Sequence, residues 1–292
     1  MTFSPNLISD LQQILSYQFM QHAFEAGTVV AIIAGITGYF VVLRRSAFIA
    51  HAFSEIGFAG AAGAVLINIP PIAGLLLGST LGGLAIAALG RRAANRDTQI
   101  GIVLAFALGL GLLFISLYVG YATEAYSILF GEILGISLGN VELTLVAGVI
   151  ILVGIGILYR PLLFSSLDED VAEAKGMPML FLGTAFLLLV AVAVSFAVQV
   201  TGVLLIFSLM VTPAATAQYL SRRPDRAILI SVIIALFAVW IGLFVAFFTP
   251  YPVSFFITGI AFGLYLLVRM IRSLMTPRNR ARTNLEHPLS QS

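Results

Sequence analysis

Six long stretches of this chain carry no Asp, Glu, Lys or Arg: Ala26 to Leu43, Ile56 to Gly90, Thr98 to Thr123, Leu143 to Tyr159, Gly176 to Ser221 and Ala227 to Val268. No soluble core of this size needs so much apolar surface. A helix that crosses a hydrocarbon layer of roughly 30 Å needs about 20 apolar residues. Three of the stretches are too long for one crossing and hold two each. Turn residues mark the divisions: Asn68-Ile-Pro-Pro71 in the second, Gln199-Val-Thr-Gly202 in the fifth and Thr249-Pro-Tyr-Pro252 in the last. The pattern predicts an all-α polytopic membrane bundle of about nine transmembrane helices, or eight if one division is only a kink. The segment SDLQQILSYQFMQHAF, before the first stretch, reads as a short amphipathic helix lying in the interface.

Composition supports this reading. Of 292 residues, 60% are hydrophobic and 10% charged, against about 25% charged in ordinary soluble domains. The chain has no cysteine, which excludes disulfides and thiolate metal ligands. The first 25 residues include Asp10 and Glu25 and lack the charged-then-apolar order of a cleavable leader.

Charge sets an expected orientation. Fourteen arginines and the single lysine, Lys175, cluster at Arg44-Arg45, Arg91 to Arg96, Arg160, Lys175, Arg222 to Arg226, Arg269, Arg272 and the tail. Alternate links are basic, as cytoplasmic loops are. The expectation is an outside N-terminus and a cytoplasmic C-terminus. Residues 1–275 would form one transmembrane domain, and 276–292 a basic cytoplasmic tail expected to be disordered. Arginines beside a membrane meet lipid headgroups, and no nucleic-acid role is assigned to them.

The main polar link between stretches runs from Arg160 to Lys175. Ser166 is expected to cap a short cytoplasmic helix there, with Asp168, Glu169 and Asp170 in its first turn, Ala172 facing a neighbour and Gly176 as terminator. The segment, about 164–178, is either a solvated loop helix or a docking element for a soluble partner.

Chemistry concentrates in IAHAFSEIGFAG. His51 and Glu55 lie four apart and so share one helix face. Counted from Arg45, they lie on the order of 9 and 15 Å into the layer. A lone ionised carboxylate at that depth costs several kcal/mol, so such groups pair, face water or bind an ion. The plainer reading is a structural His–Glu pair. The other is a transit site for Zn²⁺, Mn²⁺ or Fe²⁺, which suit nitrogen and oxygen donors. Two side chains are too few for a tight site and need other spans or waters to complete the shell. Glu132, His22 and Glu25 are weaker metal candidates, and Ser54 and Met210 weaker still. Pro213 could kink the seventh span.

VVLRRSAFIAHAFSEIGFAG, DTQIGIVLAFALGLG, SILFGEILG, LDEDVAEAKGMP and VTGVLLIFSLMVTPAATA occur in this order. The ordered set resembles the ABC-3 family, the permease subunits of ABC importers for zinc, manganese and iron. The resemblance runs over about residues 20 to 270. It implies a type II-like importer permease in a bacterial-type plasma (inner) membrane. The implied partners are a second permease copy, two cytoplasmic ATPase subunits that bind the ATP, and an extracytoplasmic metal-binding protein. It makes Asp168, Glu169, Ala172 and Gly176 the coupling segment. The family pattern places Asp and then His four apart in the second helix; here His51 and Glu55 exchange the donor order. No cofactor is expected in this chain, the metal being cargo. The chain has no G-x-x-x-x-G-K-[ST] loop with which to hold ATP phosphates. HAFSE is not the H-E-x-x-H of zinc proteases and no G-x-S-x-G occurs, so an intramembrane enzyme is disfavoured. Siderophore or cobalamin permeases would give no reason for a His–Glu pair. A gradient-driven metal or proton transporter using that pair is the alternative.

Overall fold

Every peptide group inside a bilayer must find its hydrogen-bond partner within the protein, which favours unbroken helices. The computed structural model describes residues 7–88, 93–118, 131 and 133–275, and all its regular elements are helices. They are α1 (Leu7–Ser16), α2 (Gln18–Leu43), α3 (Ala47–Leu66), α4 (Pro71–Ala88), α5 (Ala93–Leu117), α6 (Leu138–Leu167), α7 (Glu169–Ala174), α8 (Met179–Thr201), α9 (Val203–Leu220), α10 (Pro224–Phe248) and α11 (Val253–Met275). Among the described residues nine helices, all but α1 and α7, are long and apolar enough to cross a membrane. The tail 276–292 lies outside the described residues.

The three expected divisions are all present. Asn68 takes a left-handed backbone (φ 58°) and Pro71 opens α4. Gly202 (φ 82°) separates α8 from α9 by a single residue. Thr249 to Pro252 separates α10 from α11.

Three local expectations need correction. The chain breaks at Tyr17, whose extended backbone (φ −91°, ψ 121°) ends the interfacial helix α1. His22 and Glu25 therefore belong to the first crossing helix, which starts at Gln18. Arg160 does not end its span either. α6 runs on through Pro161 to Leu167, so the link to α8 is shorter than the charge pattern implied. The cap of α7 is Asp168, whose carboxylate accepts the Val171 N–H at 3.0 Å, while Ser166 bonds back to Leu162 O inside α6. Asp168 sits immediately before the helix, where a capping oxygen reaches the third N–H.

α2 is the hub. It packs against α6, α8, α9 and α10, while α3 packs on α4, α5, α8 and α9, and α11 on α9 and α10. In the apolar part of α3, 72% of the residues are buried within the protein; in α5 and α11 the share is 11%, which puts those two at the periphery of the bundle. Lipid gives apolar helices no hydrophobic reason to associate, so close packing and interhelical hydrogen bonds hold them. At the α3–α4 crossing Gly60 and Gly74 face each other, and a Cβ on either would collide with the other's carbonyl oxygen. Ser79 Oγ of α4 donates to Phe53 O of α3 at 3.0 Å, Ser195 Oγ of α8 to Leu75 O of α4 at 3.2 Å, and Ser231 Oγ of α10 to Gly35 O of α2 at 2.9 Å. The bonds of Ser79 and Ser231 satisfy buried hydroxyls that would otherwise be stranded in an apolar interior, while Ser195 also bonds Ala191 O of its own helix at 2.8 Å.

Candidate functional site

The position of His51 follows from the corner that precedes it. α2 ends in a hydrogen-bonded cap: Arg45 N–H donates to Val42 O at 3.0 Å and Ser46 N–H to Val41 O at 2.9 Å. Arg45 itself takes the left-handed backbone (φ 53°) more usual for glycine. The corner turns the chain at once into α3, so His51 comes within two turns of the helix start.

His51 and Glu55 share one face of α3, and both are half-buried. The imidazole lies between two phenyl rings, Phe48 of its own helix (centroids 6.1 Å apart) and Phe207 of α9 (5.4 Å, edge-on). Among the described residues no side-chain hydrogen bond or ion pair is formed by the imidazole or by the Glu55 carboxylate, so both donors stay available. The surrounding surface is open: Phe48 and Phe207 are 39% and 37% exposed.

The weaker candidates lie elsewhere. Ser54 is buried and its hydroxyl is committed to His51 O at 2.7 Å. Met210 is fully buried and packs against Gly38 of α2. Glu25 lines a cavity between α1, α2, α6 and α10, together with Glu142 and not with His51. His22 is half-buried on the first turns of α2. Glu132 lies outside the described residues. No group of three or more His, Asp or Glu able to hold a metal occurs among the described residues. One chain thus brings one imidazole and one carboxylate to this face.

The acidic link is a second local structure. α7 ends in a Schellman cap: Gly176 (φ 75°) donates its N–H to Glu173 O at 2.9 Å and Met177 donates to Ala172 O at 3.2 Å. Ala172 is fully buried, packed with Met179 and Leu182, while Asp168, Glu169 and Gly176 are exposed. Sequence reasoning missed the tie between this link and the His51 corner. Arg44 Nη1 donates to Ser165 Oγ at 3.1 Å and to Ser166 Oγ at 3.4 Å, and the guanidinium stacks 5.4 Å from the Phe186 centroid. The available signal was an arginine at a span end with paired serines at another. Phe207 was also missed, and no local pattern points to it.

The sequence profile of the ABC 3 transport family matches residues 16–272. A manganese transport system membrane protein, MntC, of Halalkalibacterium halodurans is 32% identical over 219 residues, 75% of each chain. A high-affinity zinc uptake system membrane protein, ZnuB, of Buchnera aphidicola is 26% identical over 231 residues, 78% of this chain and 88% of that one. The structure of PsaBC from Streptococcus pneumoniae in complex with Fab superposes with a TM-score of 0.82 at 27% identity, covering 94% of this chain and 98% of that one. This multi-pass chain, helical throughout its described residues, belongs to the ABC 3 transport family.

Proposed function

We propose that this chain is the membrane-spanning permease subunit of an ATP-driven importer of a divalent transition metal, with Mn²⁺, Zn²⁺ and Fe²⁺ as the candidate cargo. One observation carries the reading: His51 and Glu55 stand together on α3 beside Phe207, half-buried, without hydrogen-bond partners among the described residues. Burying such a pair without a purpose is costly. A second copy related by a two-fold axis would bring the same pair to the opposite side. The combined set, two nitrogens and two oxygens, suits these metals. Each chain holds only half of it, which favours transient binding and release.

In this mechanism an extracytoplasmic binding protein delivers the ion at the arginine-poor end of the bundle. The ion passes between the copies, is held by His51 and Glu55, and leaves toward the cytoplasm in an alternating-access cycle. Two cytoplasmic ATPase subunits supply the energy through α7, with Asp168 and Glu169 presented outward and Ala172 anchoring the helix on α8. Arg44 ties the end of α6 and Phe186 of α8, the helices that flank α7, to the corner before α3, so a displacement of α7 that shifts those helices reaches the metal donors. The chain then lies in the plasma membrane with its C-terminus in the cytoplasm.

The test is uptake by the reconstituted complex, comparing Mn²⁺, Zn²⁺ and Fe²⁺, for the wild type and for His51→Ala and Glu55→Ala. Loss of uptake in both variants, with the assembled complex intact, is expected. Wild-type uptake in both would remove the site. ATP-independent uptake driven by a proton gradient would replace the importer with a secondary transporter.

A further inference from the structure

On a different side of the bundle, α1, α2, α6 and α10 enclose a cavity of about 1050 Å³. It exceeds the roughly 300–1,000 Å³ typical of small-molecule sites. Its walls are aliphatic and phenyl side chains, interrupted by Glu25, Thr28, Glu142 and Trp240. Among the described residues no Lys, Arg or His lines it. Thr28 and Trp240 satisfy each other, the indole N–H donating to Thr28 Oγ1 at 2.9 Å. The two carboxylates are therefore the charged side chains that the described residues bring to the site, and both are exposed.

Their depth is informative. Glu25 lies seven residues from the start of α2 and Glu142 four from the start of α6. These offsets put them about 10 and 6 Å along their helices from the arginine-poor end. Trp240 lines the opening with 49% of its surface uncovered and lies eight residues before the end of α10, about 12 Å along that helix from the same end of the bundle. Leu138, Leu145 and Ile241 line the same opening with 54%, 53% and 38% of their surface uncovered. In a bilayer these flanks meet acyl chains. An apolar volume beneath a negative rim fits an amphiphile with a cationic head.

The geometry points to a bound membrane phospholipid with a primary ammonium headgroup, its chain in the cavity and its ammonium between Glu25 and Glu142. An ammonium offers three donors and can bond both carboxylates. An anionic headgroup would meet like charge at the same place. The lipid would fill the gap between α2 and α6 and brace the α1 helix, whose Ile14 and Leu15 close one end of the cavity.

The test uses native mass spectrometry of the full chain purified with its partners and stripped of lipid. Phosphatidylethanolamine and phosphatidylglycerol with identical acyl chains are titrated separately. Tighter binding of the first phosphatidylethanolamine by about fivefold is expected, the size of one good exposed ion pair. Glu25→Gln with Glu142→Gln should erase the preference. Leu145→Trp, which fills the groove from its exposed side, should weaken both lipids. Equal binding by the wild type, a preference that survives the double substitution, or unaltered binding by Leu145→Trp would each overturn the proposal. Because the chain has no cysteine, Leu145→Cys gives a clean further check. A disulfide between two copies in native membranes would assign this face to a second copy and overturn the lipid site.

Discussion

Gly74→Ala adds one methyl group at the tightest part of the α3–α4 crossing. The new carbon would lie 2.6 Å from the Gly60 carbonyl carbon and 2.7 Å from Ala64 Cβ, and nearer still to the Gly60 oxygen. Carbon atoms pack at about 3.5–4.0 Å, so the helices must separate by about 1 Å. Two of the clashing atoms are backbone, and no rotamer change relieves them. Overpacking of this kind costs about 1–3 kcal/mol. The Ser79–Phe53 hydrogen bond, 3.0 Å long, would open beyond bonding range, a further loss of about 1 kcal/mol. For a chain of this size each kcal/mol lowers the midpoint by about 2–4 °C. Thermal unfolding in lipid nanodiscs, followed by intrinsic fluorescence, should therefore fall by several degrees. Gly109→Ala on α5 is the control, since nothing lies within 4 Å of its added methyl. Alanine favours a helix over glycine by up to about 1 kcal/mol, so this variant should melt at the wild-type temperature or slightly above. Equal midpoints for the two variants would refute the argument that close glycine packing holds α3 in place.

Asp168→Ala removes the α7 cap, worth about 1 kcal/mol, and should reduce metal-stimulated ATP turnover in the assembled complex. Gly176→Pro should reduce it further, because proline cannot adopt the φ of 75° there or donate to Glu173 O. Unaltered turnover in both would separate the segment from coupling. Arg44→Met keeps an apolar stem against Phe186 but loses the donors to Ser165 and Ser166. It should lower the number of ions imported per ATP hydrolysed, read from paired uptake and phosphate-release assays; an unaltered ratio would show that the tie transmits nothing.

The divisions between spans were readable because each depends on local backbone chemistry. Asn68 and Gly202 occupy left-handed conformations, and Pro71 suits a helix start. The Gly176 terminator was readable for the same reason. The helix bounds near Tyr17 and Arg160 were not. A membrane helix carries polar residues freely in its end turns, so the absence of charge marks hydrocarbon depth and not helix length. The cap was misplaced because Ser166 and Asp168 are both good caps, and only the run of α6 to Leu167 decides between them. The shared face of His51 and Glu55 follows from spacing alone. Their setting does not: Phe207 is 156 positions from His51 in sequence and reaches it through the packing of α9 on α3. Sequence places Glu25 near the outer end of its span, a position open to cation capture. Depth says nothing of which side of a helix faces which neighbour, and the packing of α2 turns Glu25 toward Glu142 and the lipid-facing cavity.

The central claim is that His51 and Glu55 ligate the transported ion. Pulsed electron paramagnetic resonance of the purified complex loaded with Mn²⁺ tests it at the atoms concerned, since an imidazole ligand imprints a nitrogen coupling on the manganese signal. The account predicts that coupling in the wild type, its loss in His51→Ala, and loss of the bound Mn²⁺ signal in Glu55→Ala. An unaltered nitrogen coupling in His51→Ala, or none in a wild-type complex that binds and transports Mn²⁺, would contradict it.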